Sequence, residues 1–200
     1  MKKEIFKMPT PIKIKQRTSS ITNAFFNGII PAIKPDDNEI MDALRVLGMD
    51  ENTICCAYCG DPHTEWDHLN PLVVNKRPTG FISEIHNLIP SCSKCNQSKG
   101  NKSWKEWMLG DAPKSPKTRK IPDLEERVQK IEEYEKHFKP IKIDIESIVG
   151  KELWTQYLSD LEMLHVKMDK CQDLSDEIKE IISKAISSSY KPEGQEMTLD

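Results

Sequence analysis

The chain has 200 residues, 37% of them hydrophobic and 30% charged, with a net charge of −3. That length suits one ordinary domain or a smaller one with helical attachments, and no apolar run approaches the roughly 20 residues of a membrane span. Residues 1–7 lack the apolar core of a secretion signal, so a cytoplasmic protein is expected, in which six cysteines read as metal ligands ahead of disulfides.

Charge is unevenly placed. Residues 1–20 hold six Lys or Arg against Glu4, a balance of +5, and residues 96–120 hold seven against two acids, again +5. Residues 21–95 stand at −5 and the remainder at −8. Positive charge therefore gathers on the amino-terminal arm and just after the segment that carries the chemistry, where phosphates are expected. A solvated lysine run looks the same in sequence, so neither segment decides the matter alone.

Residues 1–19 are basic, contain proline and have no apolar period, which predicts a flexible arm or one ordered by a partner. From Ser20 the pattern turns helical: Ile21, Ala24, Phe25, Ile29 and Ile30 recur near a 3.6 period until Pro31 and Pro35 stop the run. A second helix is predicted over 37–47, with Ile40, Leu44 and Leu47 on one face and Gly48 beyond its end. Both are expected to pack on the core that follows, in a domain spanning 20–111.

That core is framed by two C-x-x-C pairs, Cys56 with Cys59 and Cys92 with Cys95. Each such turn presents two thiolates on one bend, and two turns supply the four soft ligands of a tetrahedral structural zinc. Cys55 lacks the spacing, and neither it nor Cys171 has an assigned role. Inside the frame stand the adjacent Asp67 and His68, followed by Pro71, then Asn87 and Asn96. The order D-H-x-x-P over 67–71, N-L-x-x-x-C over 87–92 and C-N-x-x-K over 95–99 resembles the HNH, or ββα-metal, nuclease motif, across about a quarter of the chain. Asn96 stands where the last histidine of that motif falls, which moves the ligand from imidazole to amide. The fold class expected is α+β: an HNH core with a four-cysteine zinc site, flanked by N-terminal helices and a long C-terminal helical extension.

Short extended pieces are predicted over 54–58 and 65–69, a loop over 75–80, and a returning strand from 81–85 and 88–89. A helix from about Ser93 then holds Asn96 and Lys99. Gly100 permits a break, and Ser103 can cap a further helical piece whose Trp104, Trp107, Met108 and Leu109 offer an apolar face.

Hydrolysis of a phosphodiester needs an activated water, a cation to balance phosphate charge, and help for the departing 3′ oxygen. His68 is the side chain in the frame suited to take a proton from water near neutral pH, so it is the expected general base. Asp67 offers an anionic oxygen and Asn96 an amide oxygen, which together suit one hard cation, Mg2+ or Mn2+. One carboxylate is too little for two such ions, and the resemblance likewise implies a single catalytic metal. The zinc, closed by four thiolates, has no position open for chemistry. Strand neighbours face opposite ways, so Asp67 and His68 can share a site only if the strand ends or twists there, as Pro71 favours. Asn87, counted with the catalytic set, is expected to hold the long loop by backbone hydrogen bonds. Lys99, three residues after Asn96 on one helix face, is expected to meet a phosphate.

Residues 112–122, rich in Pro, Lys and Ser, predict a linker. The helical extension is placed at 123–191, beginning with Leu124, Val128 and Ile131 and ending in a loose tail at 192–200. After Gly150, Trp154, Leu161, Met168 and Ile182 form one heptad row, and Tyr157, Leu164, Cys171, Ile178 and Ala185 a second. Such a seam calls for a partner helix: the one from 123, a second copy in a homodimer, or a partner protein. Ser175 can interrupt the run and bend it.

The expected function is a metal-dependent endonuclease that cuts DNA, ahead of RNA, and leaves the 5′ phosphate and 3′ hydroxyl that the resemblance implies. Restriction or another anti-phage defence role would fit a nuclease of this size, although no residue specifies it. The competing expectation is a zinc-stabilised nucleic-acid-binding or adaptor module without catalysis.

Overall fold

The computed structural model describes residues 8–189. Residues 1–7 of the expected arm and the tail expected at 192–200 lie outside the described residues. Two compact units are present, one of residues 22–154 and one of residues 8–21 with 155–189.

Helix α1 (Thr18–Asn27) follows a short 3-10 turn and buries Thr22 and Phe26. Helix α2 (Asp37–Val46) begins on a reciprocal cap, in which Asp36 Oδ1 accepts from Glu39 N at 2.9 Å and Glu39 Oε2 from Asp36 N at 2.8 Å. Its inner face carries Ala43 and Leu44, with Leu47 just beyond.

The core opens with β1 (Glu65–His68), continues through β2 (Val73–Val74) and β3 (Arg77–Pro78), and returns on β4 (Leu88–Ser91). Strand β1 pairs antiparallel with β4, with Asp67 opposite Ile89 and His68 opposite Leu88. Strands β2 and β3 form a separate hairpin. The expected loop over 75–80 is therefore partly a hairpin, and Asn75 and Lys76, at φ of 50° and 60°, form its two-residue turn. Positive φ at both central residues gives the turn a twist that matches paired strands, and asparagine tolerates it. The returning strand starts later than expected. Residues 81–84 instead bridge outward, Ser83 to Ala32 and Phe81 to Lys142, while a 3-10 turn at Ile85–Asn87 leads into β4.

Helix α3 (Ser93–Lys99) leaves the second cysteine turn, and α4 (Trp104–Leu109) buries Trp104, Trp107 and Met108. Helices α5 (Leu124–His137), α6 (Ile145–Val149) and α7 (Lys151–Ser189) complete the chain. One apolar cluster joins the four motif cysteines to Tyr58, Leu69, Ile89, Trp107 and Met108, and takes Ile131, Tyr134 and Phe138 from α5 and its end. The Tyr134 hydroxyl donates to the carbonyls of Ile85 and Leu88, each at 2.9 Å. The expected extension thus begins, at α5, as part of the core. The expected linker is a packed turn: Ser115 is buried and Arg119 reaches Asp61 at 2.9 Å.

In the second unit, α7 runs unbroken through Ser175, because serine in mid-helix interrupts an apolar row without breaking the backbone ladder. Gln172 is buried and its Oε1 accepts from Ile14 N at 2.7 Å. Leu161 and Met168 are buried, whereas Leu174, Ile178, Ile181, Ile182 and Ile186 continue the stripe in exposed positions. Among the described residues no helix is long and apolar enough to cross a membrane.

Candidate active site and metal centre

The four sulfurs of Cys56, Cys59, Cys92 and Cys95 lie within 4.8 Å of one another, and all four residues are buried. The Sγ atoms of Cys59 and Cys92 are 3.8 Å apart. Sulfurs placed tetrahedrally around zinc at about 2.3 Å are separated by about 3.8 Å, so the donor set fits that ion. Tight turns build each half, with Gly60 N donating to Cys56 O at 2.8 Å and Asn96 N to Cys92 O at 3.0 Å. A four-thiolate zinc carries net negative charge, and Arg119 answers it by donating to Cys95 Sγ at 3.3 Å while its other nitrogen holds Asp61 at 2.9 Å.

A cavity of about 150 Å³ is lined by Asn23, Asn27, Asp67, His68, Pro71, Leu72, Val73, Asn96, Gly100 and Asn101. Asp67, His68 and Asn96 therefore border one space. The alternation problem is resolved by the end of β1 at His68, after which the chain turns at Asn70 and Pro71. A larger groove of about 920 Å³ beside α4 and α5 sets Lys102, Lys105 and Lys136 against Glu106, Asp111, Glu132 and Glu135 and contains none of these three motif residues.

Asp67 is buried, and its Oδ2 accepts from the Tyr58 hydroxyl at 2.8 Å and stands 3.1 Å from Lys99 Nζ. Both contacts fall on one oxygen, which leaves Oδ1 outside them. Burial pushes the Asp67 carboxyl above its ordinary range, and the Lys99 charge pulls the other way. Burial likewise lowers Lys99, opposed by Asp67. Desolvation thus outweighs pairing on each partner.

Lys99 itself is 0% exposed, with Nζ 2.7 Å from His68 O and 3.3 Å from Gly100 O. An ammonium has three donors, and Asp67, His68 and Gly100 take all three. The side chain expected to meet a phosphate is turned inward, because the backbone carbonyl at the end of β1 and the buried carboxylate both need a donor.

His68 Nε2 lies 2.8 Å from Ser83 Oγ. Burial first, and the Lys99 charge second, push its imidazole down to about 4. The ring is therefore neutral at neutral pH, as a proton acceptor must be. The tautomer in which Nε2 donates to Ser83 Oγ carries its lone pair on Nδ1.

Asn87 is fully buried and closes the long loop: its Oδ1 accepts from Asn70 N at 2.9 Å, and its Nδ2 donates to Asn70 O at 3.1 Å and Ile82 O at 3.2 Å. It does not line the cavity.

Residues 56–102 match the family model described as HNH endonuclease. The chain carries an HNH endonuclease domain. No curated protein and no solved structure was found to match the chain. HNH domains as a family are associated with metal-dependent nuclease activity on nucleic acid, and the cysteine cluster here adds a zinc-type site.

Four residues at this HNH site escaped the sequence reading. Tyr58 sits inside the first C-x-x-C turn, where only the spacing of the cysteines carried a signal. Ser83 falls in an apolar stretch read as strand, and Asn23 and Asn27 lie on a helix read as packing. The spacing of Asn23 and Asn27, four residues apart on the polar side of α1, was the one visible clue.

The donor set fits a hard cation as well. Asp67, with both its contacts on Oδ2, and half-buried Asn96 line the same small polar cavity, and oxygen donors of this kind suit Mg2+ or Mn2+.

Proposed function

We propose that the protein is a metal-dependent endonuclease that hydrolyses DNA phosphodiester bonds. The observation that carries this reading is the convergence of Asp67, His68 and Asn96 on one cavity beside a preassembled four-cysteine cage. Asp67 and Asn96 would hold one Mg2+ or Mn2+, which supplies charge neutralisation at the phosphate and the departing 3′ oxygen. His68 takes a proton from water on Nδ1, and Ser83 fixes the ring by its bond to Nε2. Tyr58 and Lys99 orient Asp67 from behind. Asn87 keeps the loop between the strands closed, and zinc on Cys56, Cys59, Cys92 and Cys95 would hold the two cysteine turns together without taking part in the reaction.

The exposed stripe of α7 from Leu174 to Ile186 suits a helix from a second copy, so that two active sites serve two strands. Sedimentation as a strict monomer at micromolar concentration rejects this assembly.

Plasmid incubated with the protein and Mg2+ or Mn2+ tests the activity, with EDTA as control and RNA in a parallel digest. Cutting that EDTA stops, and that His68→Ala abolishes while zinc content and fold persist, supports the assignment. Unchanged cutting by that variant places the base elsewhere, and a preference for RNA replaces the substrate. Absence of any cutting favours a binding or adaptor module.

A further inference from the structure

The cavity poses a question that the motif residues leave open: which donors hold the substrate phosphates. Lys99 spends its three donors on Asp67, His68 O and Gly100 O, and it is fully buried. The remaining motif groups at the cavity are a carboxylate, an imidazole held at Nε2 by Ser83 and the Asn96 amide, and the carboxylate repels an anion. The other polar side chains on its wall are Asn23, Asn27 and Asn101.

Two of these come from α1, outside the HNH match at 56–102. Thr22 and Phe26 are buried, and one position further along Asn23 and Asn27 share an adjacent face at i, i+4 spacing. Phe26 thus fixes the rotation of the helix that presents both amides to the cavity. The chain beyond α1 is registered on the same site. Ser83 N donates to Pro31 O at 3.1 Å and Ile33 N to Ser83 O at 2.8 Å, so one segment walls the cavity and anchors the residue that holds His68. An amide suits this place chemically. It offers two N–H donors to a phosphate oxygen, adds no positive charge beside a cation site, and does not repel the anion as a carboxylate would.

We propose that Asn23 and Asn27 are substrate-binding residues of the active site, donating their side-chain N–H groups to non-bridging oxygens of the phosphates next to the bond that is cut. The assignment rests on the nuclease reading above and extends the site beyond the family motif. Each lost charge-assisted hydrogen bond should weaken substrate binding by about tenfold.

The test uses the full chain with a duplex oligonucleotide and Mn2+, measuring kcat and KM separately for wild type, Asn23→Ala/Asn27→Ala, Asn27→Ala and Asn27→Asp. Zinc content and thermal midpoint serve as folding controls. The double variant is expected to raise KM by about tenfold or more with kcat within about threefold, and Asn27→Asp to exceed Asn27→Ala because its charge repels the phosphate. If the double variant loses zinc or its midpoint, the Asn27 variants decide alone, since Asn27 is exposed. KM within about twofold of wild type in Asn27→Asp and in every folded alanine variant, or a fall in kcat at constant KM, overturns the assignment while the nuclease reading stands. A wild-type protein that neither cuts nor binds the duplex fails the nuclease reading and this assignment with it.

Discussion

Lys99 Nζ stands 3.1 Å from Asp67 Oδ2, with both side chains buried at the junction of β1 and α3. Removing one member of such a pair leaves the other charge without compensation, at a typical cost of about 3–5 kcal/mol. Lys99→Met is therefore expected to lose about 3 kcal/mol, and Lys99→Met with Asp67→Asn less than the two single losses together. Urea unfolding of the four proteins measures the coupling. Strictly additive losses would mean that the contact carries no energy of its own.

The acid side of the pH profile should be set by the interior and not by ordinary imidazole chemistry. Burial and the Lys99 charge hold His68 at about 4, so between pH 4 and the unbound value of roughly 6.5 the unfolded chain binds more protons at this residue than the folded one. Its contribution to stability therefore falls as pH drops through that window. Proton acceptance by His68 persists below pH 6 and is lost near its folded value. Asp67, raised by burial, has the opposite linkage sign, losing stability as pH rises through its folded value. The expected kcat/KM is flat from about pH 8 to about pH 6 and falls only below. A limb centred at the ordinary imidazole value would show that His68 is solvated in the working enzyme.

Ser83 supplies a separate check on the same ring. Its hydroxyl is 2.8 Å from His68 Nε2, and its backbone is fixed by Pro31 and Ile33. Ser83→Ala should lower kcat by about tenfold, a barrier increase of about 1.4 kcal/mol, with KM little changed and the acid limb displaced. Ser83→Thr, which keeps the hydroxyl, should restore most of the rate. Equal rates in all three proteins would remove the positioning role.

The cage residues and the catalytic trio were legible because their chemistry is local. A C-x-x-C turn is complete within four residues, and D-H with C-N-x-x-K places ligand types at fixed offsets on a strand end and a helix. The inward turn of Lys99 was not legible, since spacing places a side chain on a helix face but does not say what that face meets. The same limit hid α5: Leu124, Val128 and Ile131 predicted a helix, but its union with the core depends on Tyr134 reaching the carbonyls of Ile85 and Leu88, more than forty residues away in sequence. The hairpin of β2 and β3 was missed because two-residue strands give no period, and its Asn75-Lys76 turn lacks the glycine that usually marks the type.

Zinc should behave as a folding ligand. The four buried sulfurs share one centre, and the core residues Tyr58 and Ile89 lie in the same cluster as the cysteines. Metal analysis is expected to give one zinc per chain, and Cys92→Ser to lower the thermal midpoint and expose the protein to proteolysis. Activity lost after zinc is stripped with a tight chelator should not return on adding Mg2+ alone. Activity lost on brief EDTA treatment that leaves zinc in place should return. A zinc-free protein that keeps its midpoint would show that the cysteines hold no structural ion.

Asn87 is expected to matter for stability, although it touches no reacting group. Its amide satisfies Asn70 N, Asn70 O and Ile82 O in a fully buried position, and so ties the turn after His68 to the segment that carries Ser83. Asn87→Ala leaves three backbone groups short of a partner; Ile82 O is buried and costs about 1–3 kcal/mol, and the two of half-buried Asn70 cost less, so a loss of about 2–3 kcal/mol is expected. Asn87→Asp keeps the shape but exchanges two donors for acceptors facing carbonyl oxygens, and should be no better tolerated. Hydrogen exchange at the Asn70 amide reads the local effect directly: it should accelerate in Asn87→Ala before global unfolding does, and stay slower in Asn87→Asp, which keeps the Oδ1 acceptor. Asn87→Ala within about 1 kcal/mol of wild type, with Asn70 still protected, would show that the loop closes without this side chain.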